Sequence, residues 1–218
     1  MTTHTIDKIF PWQVRITPKI EAVMRMFGLD VDRLAEVSPC HQCSIELRAG
    51  QICYITGPSG SGKSVLFREL MAVAGDNAID LDSIRLSKNR AVIDCFDGNF
   101  IEALRILSIA GLSDVFAVLN KPAYLSEGQK YRFRLAKALS SIAADRGAQP
   151  SSAMICGESR ATSHEPRIIF ADEFCSNLDR ITAAVIAYQI RKFARRHNVS
   201  FVLASSHEDI LADLQPDI

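Results

Sequence analysis

The period of the apolar positions changes several times along the 218 residues, and each change predicts an element. Residues 51–56 are a short apolar run rich in β-formers, and residues 65–75 then repeat apolar side chains at helical spacing. This is a strand leading into the first major helix. Upstream, residues 1–16 read as an extended arm. Thr17-Pro18 reads as a helix cap followed by proline in the first turn. The helix after it sets Ile20, Val23, Met24 and Phe27 on one face and stops at Gly28. Residues 44–49 alternate apolar and polar, a strand pattern. Residues 78–90 give short strand-like pieces and loops around D-L-D at 80–82, and residues 91–96, A-V-I-D-C-F, read as a buried strand. Helical spacing returns from Phe100 to Leu119, broken at Gly111, and again over 127–144, which is basic. Residues 145–166 are small, polar and weakly patterned, as a loop insertion is. A strand at 167–171, a helix at 180–197 and a strand at 199–204 complete the pattern. Alternating strands and helices predict an α/β domain with a largely parallel central sheet.

Composition adds limits rather than a function. Hydrophobic residues make up 48% of the chain, enough for a sizeable core, and 25 basic residues balance 25 acidic ones. No global charge points to nucleic acid or to a membrane surface. The polar start M-T-T-H-T-I-D-K does not read as a signal peptide, and no apolar run approaches the roughly 20 residues of a membrane span. A cytoplasmic protein is expected. Its six cysteines are then reduced thiols, several of them in strands. Cys40 and Cys43 form a single C-x-x-C pair. A metal half-site or a redox dithiol stands beside the plainer reading, two cysteines in a turn.

Candidate chemistry begins at residues 57–64, G-P-S-G-S-G-K-S, which fit the P-loop pattern between a strand and a helix. Glycines at 57, 60 and 62 let successive N–H groups turn toward phosphate oxygens, and the following helix aims its positive end at the same place. Gly57, Pro58, Ser59, Gly60, Ser61, Gly62, Lys63, Ser64 and Val65 are the expected phosphate-binding set. Lys63 would reach the β- and γ-phosphates and Ser64 would bind Mg²⁺. Residues 168–173, I-I-F-A-D-E, are an apolar strand ending in two carboxylates. Asp172 would bind Mg²⁺ and Glu173 would polarise the attacking water.

Residues 125–129, L-S-E-G-Q, open the basic helix, S-N-L-D stands at 176–179, and His207 follows the strand F-V-L-A-S-S. With the P-loop and D-E these motifs, in this order over residues 44–210, resemble the ATP-binding-cassette (ABC) superfamily. The resemblance implies a P-loop ATPase with a mixed central sheet flanked by helices and a reduced helical subdomain. It implies ATP and Mg²⁺ as cofactors and a head-to-tail, ATP-dependent homodimer. Ser126, Gly128 and Gln129 of the signature would face the γ-phosphate held by the other subunit, Asp179 would lie across the interface, and His207 would sense the γ-phosphate. On this reading residues 1–43 are an arm and helix, 44–218 the ATPase domain, and 91–144 its reduced helical part.

The chain also departs from that family. The usual glutamine at the end of a strand between P-loop and signature is missing, since none occurs between Ser64 and Gln129. Asp94 is the expected replacement on Mg²⁺, with Asp97 second. Phe27 is the candidate to stack on adenine, with Trp12 behind it; stapling its helix to the core explains Phe27 as well. Cys156 and His164 read as surface residues of the insertion. The cations Arg191, Lys192, Arg195, Arg196 and His197 suit a helix C-terminus, and nucleic-acid contact is the lesser reading. The signature run looks most like soluble cassette ATPases associated with acetyltransferase-like domains, which implies a soluble partner and no membrane. A transporter's ATP-binding subunit and an ATP-switched clamp with little turnover are the alternatives.

Overall fold

A computed structural model describes residues 2–9, 15–36, 40–147 and 167–218, and the chain divides into two compact units, residues 3–46 and residues 47–218 with the first two residues. The first unit contains all but the first residue of β1 (Thr2–Ile9), α1 (Pro18–Phe27), α2 (Val31–Glu36) and all but the last residue of β2 (Cys40–Leu47). β1 pairs with β2, so half of the expected arm is a strand. The Thr17 hydroxyl accepts from Ile20 N and caps α1, and Gly28 closes it in the left-handed conformation. Of the four apolar residues expected on one face, Met24 is buried, whereas Val23 and Phe27 are exposed. β2 begins at Cys40, so the C-x-x-C pair lies on a strand rather than in a turn. Extended backbone sets residues three apart roughly 10 Å from each other, which disfavours a shared metal. Burial raises the pKa of the Cys43 thiol. Trp12, Cys156 and His164 lie outside the described residues, as do positions 148–166 of the expected insertion.

The second unit is built on a four-stranded sheet, parallel throughout, in the order β3 (Ile52–Ile55), β6 (Ser200–Ala204), β5 (Ile168–Ala171), β4 (Ala78–Asp80). The two inner strands are buried along their whole length, as near-continuous apolar runs in a parallel sheet must be. Helix α3 (Lys63–Ala74) follows β3 and lays Phe67 and Leu70 on the sheet, with Phe67 edge-on to Phe170 at 5.5 Å. Then come α4 (Phe100–Ile109), α5 (Val115–Leu119), α6 (Glu127–Gly147), α7 (Arg180–His197) and α8 (Leu211–Leu214). Helix α7 turns Ile186, Ala187, Ile190 and Ala194 fully inward. At its end His197 stacks on the buried Phe193, ring centroids 4.2 Å apart, which ties one of the five clustered basic residues to the core.

Residues 91–96 differ from expectation. Instead of a strand they hold a 3-10 turn, Ile93–Cys95, and the Asp94 carbonyl accepts from Arg90. Val92, Cys95 and Phe96 are the buried positions, a helix-like spacing that a short apolar run does not distinguish from alternation. The chain's last residues close the outer edge of β3. Asp217 N and Ile218 N donate to Ile52 O, Tyr54 N donates to Ile218 O, and the Asp217 carboxylate accepts from Ile52 N at 2.9 Å. Asp217→Ala leaves that N–H without its charged partner. We expect a loss of about 1–3 kcal/mol in unfolding free energy, measured by urea denaturation, with the native fold retained.

Candidate nucleotide-binding site

Three loops leave the carboxyl ends of β3, β6 and β5, the end at which open parallel sheets bind ligands. From β3 runs the glycine loop. Gly57, Gly60 and Gly62 have φ of 149°, 81° and 88°, values that side-chain-bearing residues rarely adopt. A Cβ on Gly57 would also come within 3.1 Å of Ser61 Oγ. The chain then enters α3 directly, with Gly62 O accepting from Val65 N and Leu66 N. The Lys63 ammonium folds over the loop and donates to the carbonyls of Gly57 (2.7 Å) and Pro58 (2.9 Å). The loop conformation, the N-terminus of a 12-residue helix and a cation above it fit the phosphates of a nucleotide.

From β5 runs the acidic turn. Asp172 Oδ1 accepts from Glu173 N at 2.9 Å. Glu173 and Cys175 both lie in the left-handed region, φ 48° and 59°, which is strained backbone for residues with side chains. Ser176 holds the turn: its N–H and its hydroxyl both donate to Glu173 O, at 3.0 and 2.8 Å. Phe174 N donates to Ala204 O and fastens the turn to β6. Cys175 is not a reactive thiol. Burial pushes its pKa up to about 12, and its N–H points to the Tyr131 hydroxyl.

From β6 runs the loop of His207. His207 N donates to Ser205 Oγ, and the Tyr54 hydroxyl donates to His207 O, so the P-loop strand itself positions the histidine loop. Between this loop and the one after Glu173 lies a cavity of about 180 Å³, lined by Phe174, Ser176, Leu178, His207 and Asp209 among others. Asp179 caps α7 by accepting from Thr182 N at 2.9 Å, and hydrogen bonds from Thr182 lower its pKa.

The signature opens α6 with a reciprocal cap. Ser126 Oγ accepts from Gln129 N at 3.2 Å, and Gln129 Oε1 accepts from Ser126 N at 3.0 Å. The side chain of Gln129 thus serves the helix end. A Cβ on Gly128 would meet Leu178 Cδ2 at 3.3 Å and Asn177 O at 3.4 Å, so the missing side chain lets the signature approach the S-N-L-D loop of its own chain. Glu127 is exposed and paired with Lys130 at 2.8 Å, which lowers its pKa.

Two expected site residues are placed differently. Asp94 sits on the 3-10 turn described above and ends no strand. The strand that lies between P-loop and signature is β4, beside β5, and it ends in Asp80. Asp82 follows two residues on. Partial desolvation and the charge of Asp80 raise its pKa, Arg134 lowers it, and Asp172 and Glu173 raise it further. Asp80, and not Asp94, is thus the residue that ends a strand between P-loop and signature. The signal was the D-L-D triplet, which a three-residue strand left without a visible period. Phe27 belongs to the first unit and is 66% exposed.

Comparison with known proteins agrees with this geometry. No family model matches the chain. A methionine import ATP-binding protein, MetN of Streptococcus agalactiae, is 24% identical over 89% of this chain and 60% of its own length. An aliphatic sulfonates import ATP-binding protein, SsuB of Pseudomonas entomophila, is 29% identical over 74% of this chain and 59% of its own length. The chain thus spans about 60% of the length of these relatives. Among solved structures, the dimeric post-hydrolysis state of the cassette MJ0796 bound to ADP and Pi aligns with a TM-score of 0.58 at 17% identity, over 96% of this chain and 90% of that one. A bacterial Atm1-family ABC exporter with ATP bound aligns with a TM-score of 0.56 at 18% identity, over 97% of this chain and 36% of that one. The fold is that of ABC ATPase cassettes, and the likeness to import ATP-binding proteins supports the resemblance to the ABC ATPase superfamily.

Proposed function

We propose that the chain hydrolyses Mg²⁺-ATP at an interface between two cassettes, as the ATP-binding subunit of an import transporter. The observation that carries the ATPase reading is the convergence of three loops on one end of the sheet: the glycine loop, the Asp172-Glu173 turn and the His207 loop. ATP supplies the γ-phosphoryl group and Mg²⁺ neutralises its charge. Lys63 would exchange the carbonyls of Gly57 and Pro58 for phosphate oxygens. Ser64 and Asp172 would hold the metal, with Asp80 the nearby strand-end carboxylate in place of Asp94. Glu173 would orient the attacking water and take its proton, and His207 would contact the γ-phosphate. Ser126 and Gly128 of the second copy would close the site, with Asp179 across the interface.

The import role rests on the relatives, whose names are those of import ATP-binding proteins. They favour a membrane partner over the soluble acetyltransferase-like partner expected from the signature run, which finds no support among them. Exposed Phe100, Phe116 and Leu119 in α4 and α5 give the helical part apolar surface to offer such a partner. No helix among the described residues is long and apolar enough to cross a membrane.

The test uses Glu173→Gln, which should bind ATP and stall. We expect its mass by light scattering to double with ATP and Mg²⁺ and to remain monomeric without them. A monomer despite bound ATP removes the homodimer. In the source cells we expect the chain to sediment with membranes; recovery wholly in the supernatant counts against the import role.

A further inference from the structure

Glu127, Lys130 and Arg134 recur on one flank of α6 at spacings of three and four. Lys130 turns to Glu127. Arg134 turns the other way, and its Nη1 lies 4.0 Å from Asp82 Oδ1. Its Nε is buried and has no hydrogen-bond partner among the described residues. Keeping a guanidinium there costs stability, because a buried donor has given up water for nothing. An exposed ion pair at that distance does not compensate, for Asp82 remains 64% exposed. Stability therefore does not explain Arg134, whereas its location does. Asp82 adjoins Asp80 at the end of β4 and feels the charges of Asp172 and Glu173. Arg134 lies on the helix whose first turn is the signature. The chain has no glutamine between Ser64 and Gln129.

We propose that Arg134 is a positioning residue: through Asp82 it holds the acidic end of the sheet against the signature helix, so that nucleotide at one is felt at the other. This rests on the ATPase reading above. The Asp82–Arg134 link joins groups that, in a head-to-tail dimer, serve opposite nucleotides. Asp82 stands beside the carboxylates facing the chain's own ATP, and α6 begins at the residues facing its partner's. The orphaned Nε is a donor held ready for the closer approach of a carboxylate.

The experiment is a double-mutant cycle on the full chain, with Arg134→Met, Asp82→Asn and both together, and Arg134→Lys as the charge-conserving variant. Amide hydrogen exchange without nucleotide reads the link itself. Each single change should speed exchange at residues 81–84 by about threefold or more. Steady-state kinetics read its use: kcat falls on the order of tenfold with little change in KM. The double variant should match the worse single one, and Arg134→Lys should keep most of the activity. Tm of Arg134→Met should be unchanged or higher, a split that a purely structural arginine would not show. Effects that multiply, exchange that is unaltered in every variant, or a Tm that falls in step with kcat overturns the proposal. A wild-type chain that hydrolyses no ATP removes the ATPase reading and the positioning role with it, while exchange alone still decides whether the link exists.

Discussion

Glu173→Gln is expected to lower kcat for ATP hydrolysis by about 10²–10⁴-fold, the range for loss of a general base, with ATP affinity within about threefold of wild type. The amide keeps the size of the carboxylate and leaves the anchors of the turn intact, since the Ser176 N–H and hydroxyl bond to the main-chain carbonyl of Glu173 and Phe174 N bonds to Ala204 O. The left-handed φ of 48° at position 173 suits glutamine no better and no worse than glutamate. What disappears is the negative charge that orients a water and accepts its proton. Single-turnover hydrolysis beside equilibrium binding of a fluorescent ATP analogue separates the two effects. A kcat within threefold of wild type would move the base elsewhere, with Asp80 and Asp82 the next carboxylates to test.

What the sequence made legible, and what it hid, follows from the kind of signal each element gives. The glycine loop could be read because its conformation demands glycine at particular places, and Gly57, Gly60 and Gly62 do carry positive φ. The strand I-I-F-A could be read because burial on both faces leaves no polar position in it. Helix α7 has the expected bounds, 180–197, since Asp179 caps one end and Asn198 closes the other in the left-handed conformation. Residues 91–96 misled because five apolar residues in six satisfy a strand and a tight turn equally well. Asp94 and Asp97 are therefore the candidates the sequence offers, and Asp80, whose strand has only three residues, is not among them. Tyr54 and Arg134 gave no signal at all. Their roles depend on partners 153 and 52 positions away, His207 and Asp82, and only the fold brings these together. The β1–β2 pair was half visible. The alternation over 44–49 showed a strand, but nothing local showed that Thr2–Ile9 would be its partner.

Two inactive variants are expected to restore each other when mixed. Lys63→Ala removes the cation that would reach the phosphates, and Gly128→Asp places a carboxylate and a Cβ at the turn that would face a phosphate in trans. Both should fold. Among the described residues the Lys63 ammonium bonds to carbonyls of its own loop. Aspartate suits the first turn of α6 electrostatically, and its Cβ meets mainly the movable Leu178 side chain. Each variant alone gives dimers in which both sites are broken, so ATPase activity should stay at background. In a heterodimer the Gly128→Asp chain contributes an intact P-loop, and the Lys63→Ala chain contributes the intact signature opposite it, making one complete site. Random pairing of equal amounts makes half the dimers mixed, with one good site of two, so about a quarter of wild-type activity should return. The chains are mixed without nucleotide, where they are expected to be monomeric, before ATP is added. Activity that remains at the sum of the two separate variants would mean that each chain completes its own site, or meets a different subunit. The symmetric reading of the signature would then have to be abandoned even if Glu173 is the base. Recovery near a quarter would show that Lys63 and Gly128 act on the same nucleotide from different chains, which no measurement on a single variant can establish.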